Sequence, residues 1–109
     1  MPTEYTRVAD AKAQIQIQKD SIVSRTLFTD AHVKAVLMAL DTGQELSEHT
    51  ASMPAIVQFL QGEAVMTLGE DKHTLAEGAW IHMPANHKHS VLAKSPVILL
   101  LLLLKSAKE

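Results

Sequence analysis

The chain has 109 residues, enough for one hydrophobic core and too few for two. Hydrophobic residues make up 47% and charged residues 20%, the balance of an ordinary soluble globular protein. A net charge of -2 without any Lys/Arg run argues against nucleic acid or an anionic membrane as partner, and the absence of cysteine excludes disulfides, thiolate metal sites and cysteine nucleophiles.

The first residues, MPTEYTRVADAKAQ, lack a positive region followed by an apolar one, so no secretion signal and a cytoplasmic location are expected. Gln14 to Gln18 (QIQIQ) alternates strictly, which predicts a half-buried strand. Ile22 to Phe28 and Val33 to Leu40 are further predicted strands, with Thr29-Asp30-Ala31 as their connection. VKAVLMAL has helical propensity, yet its paired valines and short length favour a strand. Asp41-Thr42-Gly43 marks a turn.

Short apolar runs then follow at close spacing: Ala55 to Leu60, Glu63 to Leu68, Lys72 to Leu75, Ala79 to Met83, Ser90 to Ala93 and Pro96 to Leu104. Gly62, Gly69, Gly78, Asn86 and Ser95 lie in the breaks between them. Many short strands with such punctuation predict a β-sandwich or barrel. The last run holds VILLLLLL, far short of the roughly 20 residues that a membrane helix needs. It reads as a strand covered on both faces, because a strand facing solvent would alternate.

On these residues the chain resembles the cupin superfamily, small all-β barrels of jelly-roll type with two spaced motifs. The first, G-x5-H-x-H-x3,4-E-x6-G, runs from Gly43 through His49, Ala51 and Ala55 to Gly62. The second, G-x5-P-x-G-x2-H-x3-N, runs from Gly78 through Pro84, Asn86 and His89 to Ala93. The spacing is intact, but alanine stands at the second histidine and at the glutamate, Asn86 at the inner glycine and Ala93 at the final asparagine. More narrowly, SEHT and MPAN are similar to a group of short bacterial cupins that keep one histidine in each motif. The resemblance implies a barrel over residues 31–105, preceded by an extension over residues 1–30 whose strands pack on the barrel or on a partner subunit.

The resemblance also implies a metal held by four side chains, which map to His49, Ala51, Ala55 and His89. Two neutral imidazoles without a carboxylate leave a divalent ion poorly compensated. One divalent metal (Zn, Ni, Mn or Fe) therefore requires a third donor, and His82 is the best placed. On its strand Trp80, His82 and Pro84 share one face, and Ala79, Ile81 and Met83 the other. Alternation does not decide which face lines the cavity: inward, His82 completes a three-histidine site; outward, it is a surface or interface residue. His87 reads as a rim or surface residue, and His32 and His73 as solvated ones.

Counting by twos from Ala55 places Val57 and Phe59 inward, and from His89 it places Val91 inward. Glu45 shares the inward face with His49 if that strand is regular. The expected pocket is thus His49, Ala51, Ala55, Val57, Phe59, His89 and Val91, suited to a small organic ligand with an apolar body and one polar group. Ile56, Leu60 and the apolar last strand predict a covered outer surface, and with the family resemblance a homodimer. Three functions are open: small-molecule binding without catalysis; a metal-dependent dioxygenase or isomerase using His49, His89 and His82; and metal-free acid/base isomerase or lyase chemistry. No catalytic residue is assigned by the sequence alone.

Overall fold

From Ile22 onward each predicted strand forms in the computed structural model, which describes residues 4–105. The strands are β1 (Ile22–Thr29), β2 (Val33–Leu40), β3 (Glu45–His49), β4 (Ala55–Gln61), β5 (Glu63–Leu68), β6 (Asp71–Ala76), β7 (Trp80–Met83), β8 (His89–Ala93) and β9 (Val97–Leu104). They make two antiparallel sheets, a five-stranded one in the order β1-β2-β9-β4-β7 and a four-stranded one in the order β3-β8-β5-β6. The two enclose one core, the double-sheet jelly roll.

VILLLLLL is β9, and it runs down the middle of the larger sheet between β2 and β4. Val97, Leu99, Leu101 and Leu103 pack on the core between the sheets. Ile98 and Leu100 belong to a second cluster on the outer face, with Leu37, Ala39 and Leu60. Both faces are therefore apolar, as the uninterrupted run requires. Lys105 ends the strand by donating from Nζ to the Thr29 hydroxyl at 2.9 Å and to the Asp30 carbonyl at 2.7 Å.

The predicted strand at Gln14 to Gln18 does not form. Ala11–Gln14 is a single 3-10 turn, and residues 15–18 are not paired with any strand. The alternation survives as burial: Ile15 is buried and Ile17 half-buried, while Gln16 and Gln18 are exposed. Ile15 packs in the outer cluster with Leu37, Ala39 and Ile98, and Arg25 holds the segment by donating to the Gln14 carbonyl at 2.8 Å. Period two here records one face lying on a sheet without joining its ladder. β1 falls within residues 1–30 and pairs with β2 along its length as the edge of the larger sheet. Residues 1–3 lie outside the described residues.

Gly43, Gly62, Gly78 and Asn86 of the motifs carry backbone that side chains disfavour. Gly62 turns the chain from β4 in one sheet to β5 in the other at φ +87°, and a Cβ there would lie 2.1 Å from the Pro96 carbonyl oxygen. Only glycine fits that approach. Asn86 sits at φ +66° where the second motif has its inner glycine, and asparagine is among the few other residues that tolerate the left-handed region. Its N–H donates to the Ala51 carbonyl at 2.7 Å, so the loops of the two motifs are tied to each other.

Candidate functional site

His49 ends β3 and His89 begins β8, and the two are direct partners across that pair. Their rings meet edge to face with centroids 4.1 Å apart and planes at 65°. The next paired residues are Leu46 and Val91, so β3 carries one residue more than β8 between the two pairs, a β-bulge. A bulge re-aims side chains, and here it lets Leu46 and His49 both face the interior despite their odd spacing. Glu45, expected inward on a regular strand, is instead exposed and pairs with Leu92. Among the described residues, no carboxylate lines the cavity.

Each imidazole is fixed by its own strand. His49 Nδ1 lies 2.7 Å from the Ser47 carbonyl oxygen, and His89 Nδ1 lies 2.9 Å from that of His87. A carbonyl oxygen only accepts, so each Nδ1 carries the proton and donates it. In the neutral ring this leaves Nε2 of both histidines as a free lone pair. His49 is exposed at the rim, whereas His89 is only 9% exposed. Burial lowers the His89 pKa below the usual 6.5, opposed by the bond to His87 and reinforced by repulsion from the His49 and His87 rings. His89 is thereby held neutral, a proton and hydrogen-bond acceptor near pH 7.

Below the two rings lies a cavity of about 250 Å³. Val57 and Val91 line it, together with the two histidines. The rest of its wall comes from Met38, Leu46, Met66, Leu99 and Leu101, which the motifs did not point to. Their strands carry no motif residue to fix the inner face, except β3, where the bulge breaks the count. The alternation of β5 and β9 contained the signal, once one inward residue of each was known.

Three expected lining residues are elsewhere. Ala55 and Phe59 face inward and are buried, but in the packed core rather than at the cavity wall. Ala51 is half-buried in the β3–β4 connection, where its carbonyl receives the Asn86 N–H. Of the two alternatives left open for His82, the structure shows the outward one. Met83 takes the inner face, 2% exposed, while Trp80 and His82 are exposed outside, with His82 paired to Ile56. It cannot serve as third donor to an ion between His49 and His89. His87 is half-buried with its Nδ1 unpartnered, its ring near Gly69.

Among the described residues, no group of three or more His, Cys, Asp or Glu is placed to hold a metal ion. The four-ligand set implied by the motifs comes down to His49 and His89, with Ala51 and Ala55 supplying no donor. This set does not fit a divalent first-row ion, which takes three or four protein donors and usually a compensating negative charge. Removing a divalent charge from water into an aliphatic cavity costs far more than two neutral nitrogens return.

A double-sheet jelly roll with a histidine-rimmed internal cavity defines the cupin class of barrel. A model of the cupin domain matches residues 36–103, and the chain belongs to that family. Among solved structures it is similar to a conserved protein of unknown function from Streptococcus pyogenes, at 31% identity and a TM-score of 0.85, covering 96% of this chain and 92% of that one. A cupin superfamily protein from Desulfitobacterium hafniense has 23% identity and a TM-score of 0.85, with 94% of each chain covered. The DMSP lyase DddQ from Ruegeria pomeroyi shares the fold at 19% identity and a TM-score of 0.73, with 81% of this chain and 49% of that one covered. No curated protein matches the sequence. No helix among the described residues is long and apolar enough to cross a membrane.

Proposed function

We propose that this chain is a small-molecule-binding cupin of the cytoplasm, whose ligand enters past His49 and His89 and seats an apolar body between the sheets. The observation that carries this reading is the pairing of two free Nε2 acceptors with an aliphatic cavity of about 250 Å³. Two acceptors at the rim call for a ligand with a hydroxyl or acid proton to donate. The volume falls below the roughly 300–1,000 Å³ of drug-sized pockets, so the ligand is compact. Heteronuclear NMR titration in the presence of EDTA, with short-chain alcohols, phenols and acids, tests it. Saturable shifts at Val57, Met66, His89 and Val91, lost in His49→Ala/His89→Ala, are expected. Saturable binding that maps outside the cavity, or none across the panel, would overturn the proposal.

A second reading has one specific observation in its favour. Burial keeps His89 neutral, as a general base must be at pH 7, and the exposed His49 beside it could pass a proton to solvent. Metal-free isomerase or lyase chemistry is then open at the same rim. Its mark would be solvent deuterium entering a bound ligand at carbon, abolished by His89→Gln.

A homodimer is proposed as well. The outer face of the larger sheet presents Ile56, Leu100 and Leu102, half-buried, and Trp80, 59% exposed, while Ile15 and Ile17 cover only the Leu37–Ala39–Ile98 end. An apolar face of this kind favours a second copy. Light scattering should give twice 11.9 kDa, and Leu102→Glu should return the mass to one chain. A single-chain mass for the parent at micromolar concentration would overturn it.

A further inference from the structure

The larger sheet ends at β1, which pairs with β2 on one side and with no strand on the other. Along it lies a second cleft, of about 420 Å³, lined by residues 13–16 and Gln18 on one wall and by Val23, Ser24 and Arg25 on the other. Side chains alternate along a strand, so three consecutive residues share one cleft only where it reaches the strand's edge. The edge it reaches is the open one, because β2 occupies the other. The facing wall is unpaired as well: Gln16 and Gln18 donate no main-chain hydrogen bond to any described residue. Two rows of free main-chain groups across a gap suit an extended peptide, which adds to a sheet edge through its own N–H and C=O groups.

Arg25 selects the end of the peptide. Its Nη1 donates to the Gln14 carbonyl at 2.8 Å, using one of the five N–H groups of a guanidinium. Arg25 makes no other hydrogen bond to a described residue, and no acidic residue lines the cleft. A guanidinium with donors to spare takes a carboxylate through paired, charge-assisted hydrogen bonds. We propose that this cleft binds a short peptide with a free C-terminus, its carboxylate on Arg25 and its backbone between β1 and residues 15–18. The competing account is that Arg25 only staples the N-terminal segment to the sheet. A staple gives no preference for a carboxylate.

The cleft shares no residue with the cavity below His49 and His89, so the proposal goes beyond organic-ligand binding and fails or stands apart from it. Full-length, isotope-labelled protein is titrated by NMR with a mixed-sequence library of N-acetylated tetrapeptides, as free acids and as C-terminal amides, and with acetate alone. The free acids should give saturable shifts at Gln16, Gln18, Ser24 and Arg25, half-complete at least about tenfold below the concentration the amides need. In Arg25→Gln that difference should vanish, with circular dichroism and melting temperature establishing that the variant is folded. The comparison of acid with amide is made on the parent and needs no substitution. Equal response to acids and amides would overturn the proposal, as would acetate acting as strongly or no shift at the cleft. Shifts there on dilution alone, with none on adding peptide, would overturn it in favour of a second copy of the chain.

Discussion

His49 and His89 meet ring to ring across β3 and β8, 4.1 Å between centroids, although β3 spends one residue more than β8 in reaching that contact. Each ring is turned by a carbonyl two residues before it in its own chain, Ser47 for one and His87 for the other. The repeated arrangement leaves the same nitrogen, Nε2, without a proton on both neutral rings.

Acid should weaken the fold through His89. Its pKa is lowered in the folded protein, chiefly by burial, so between that lowered value and 6.5 the unfolded chain binds the proton and the folded one does not. Stability therefore falls as pH drops through 6.5 and levels off once the folded ring also protonates. Urea denaturation of the parent and of His89→Gln from pH 8 to 5 should show a smaller loss in the variant. Equal slopes would mean that His89 is not held neutral.

Phe59 is 1% exposed and lies in the core, outside the cavity wall. Phe59→Ala should cost about 3–5 kcal/mol of unfolding free energy. Phe59→Leu should cost about 1 kcal/mol and leave ligand affinity at the rim unchanged, as measured by the NMR titration above.

Gly62 and Gly78 both have positive φ, but they differ in what surrounds them. A Cβ at Gly62 meets the Pro96 carbonyl, whereas one at Gly78 meets nothing within 4 Å. Gly78→Ala should therefore cost only the backbone term, about 1 kcal/mol, and Gly62→Ala clearly more, because β4 and β9 must part to admit it. Thermal denaturation of the two variants checks the order.

His82 faces outward beside Ile56. His82→Ala should leave affinity at the His49/His89 rim within about twofold of the parent, by the same titrations.

The all-β plan was legible because turn residues punctuate the chain and β9 is apolar on both faces. The two motifs located His49 and His89 in one place. Depth was less legible: alternation from Ala55 correctly turned Val57 and Phe59 inward, but inward covers both cavity wall and solid core, and only Val57 is wall. For His82 alternation named two faces without saying which was inner, and Met83 occupies that one. The β3 bulge has no sequence signature, and only a regular strand would put Glu45 rather than Leu46 on the inner face. Met38 and Met66 were hidden because their strands carry no motif residue from which to start the count.

The most direct test of the account is the protonation of the two rings. Long-range proton–nitrogen NMR of the free protein at pH 8 distinguishes the two neutral tautomers of each histidine. The account predicts that His49 and His89 both carry the proton on Nδ1, with Nε2 bare. A proton on Nε2 of either ring would contradict it, since that nitrogen would then be a donor and could not accept a hydrogen bond from a ligand.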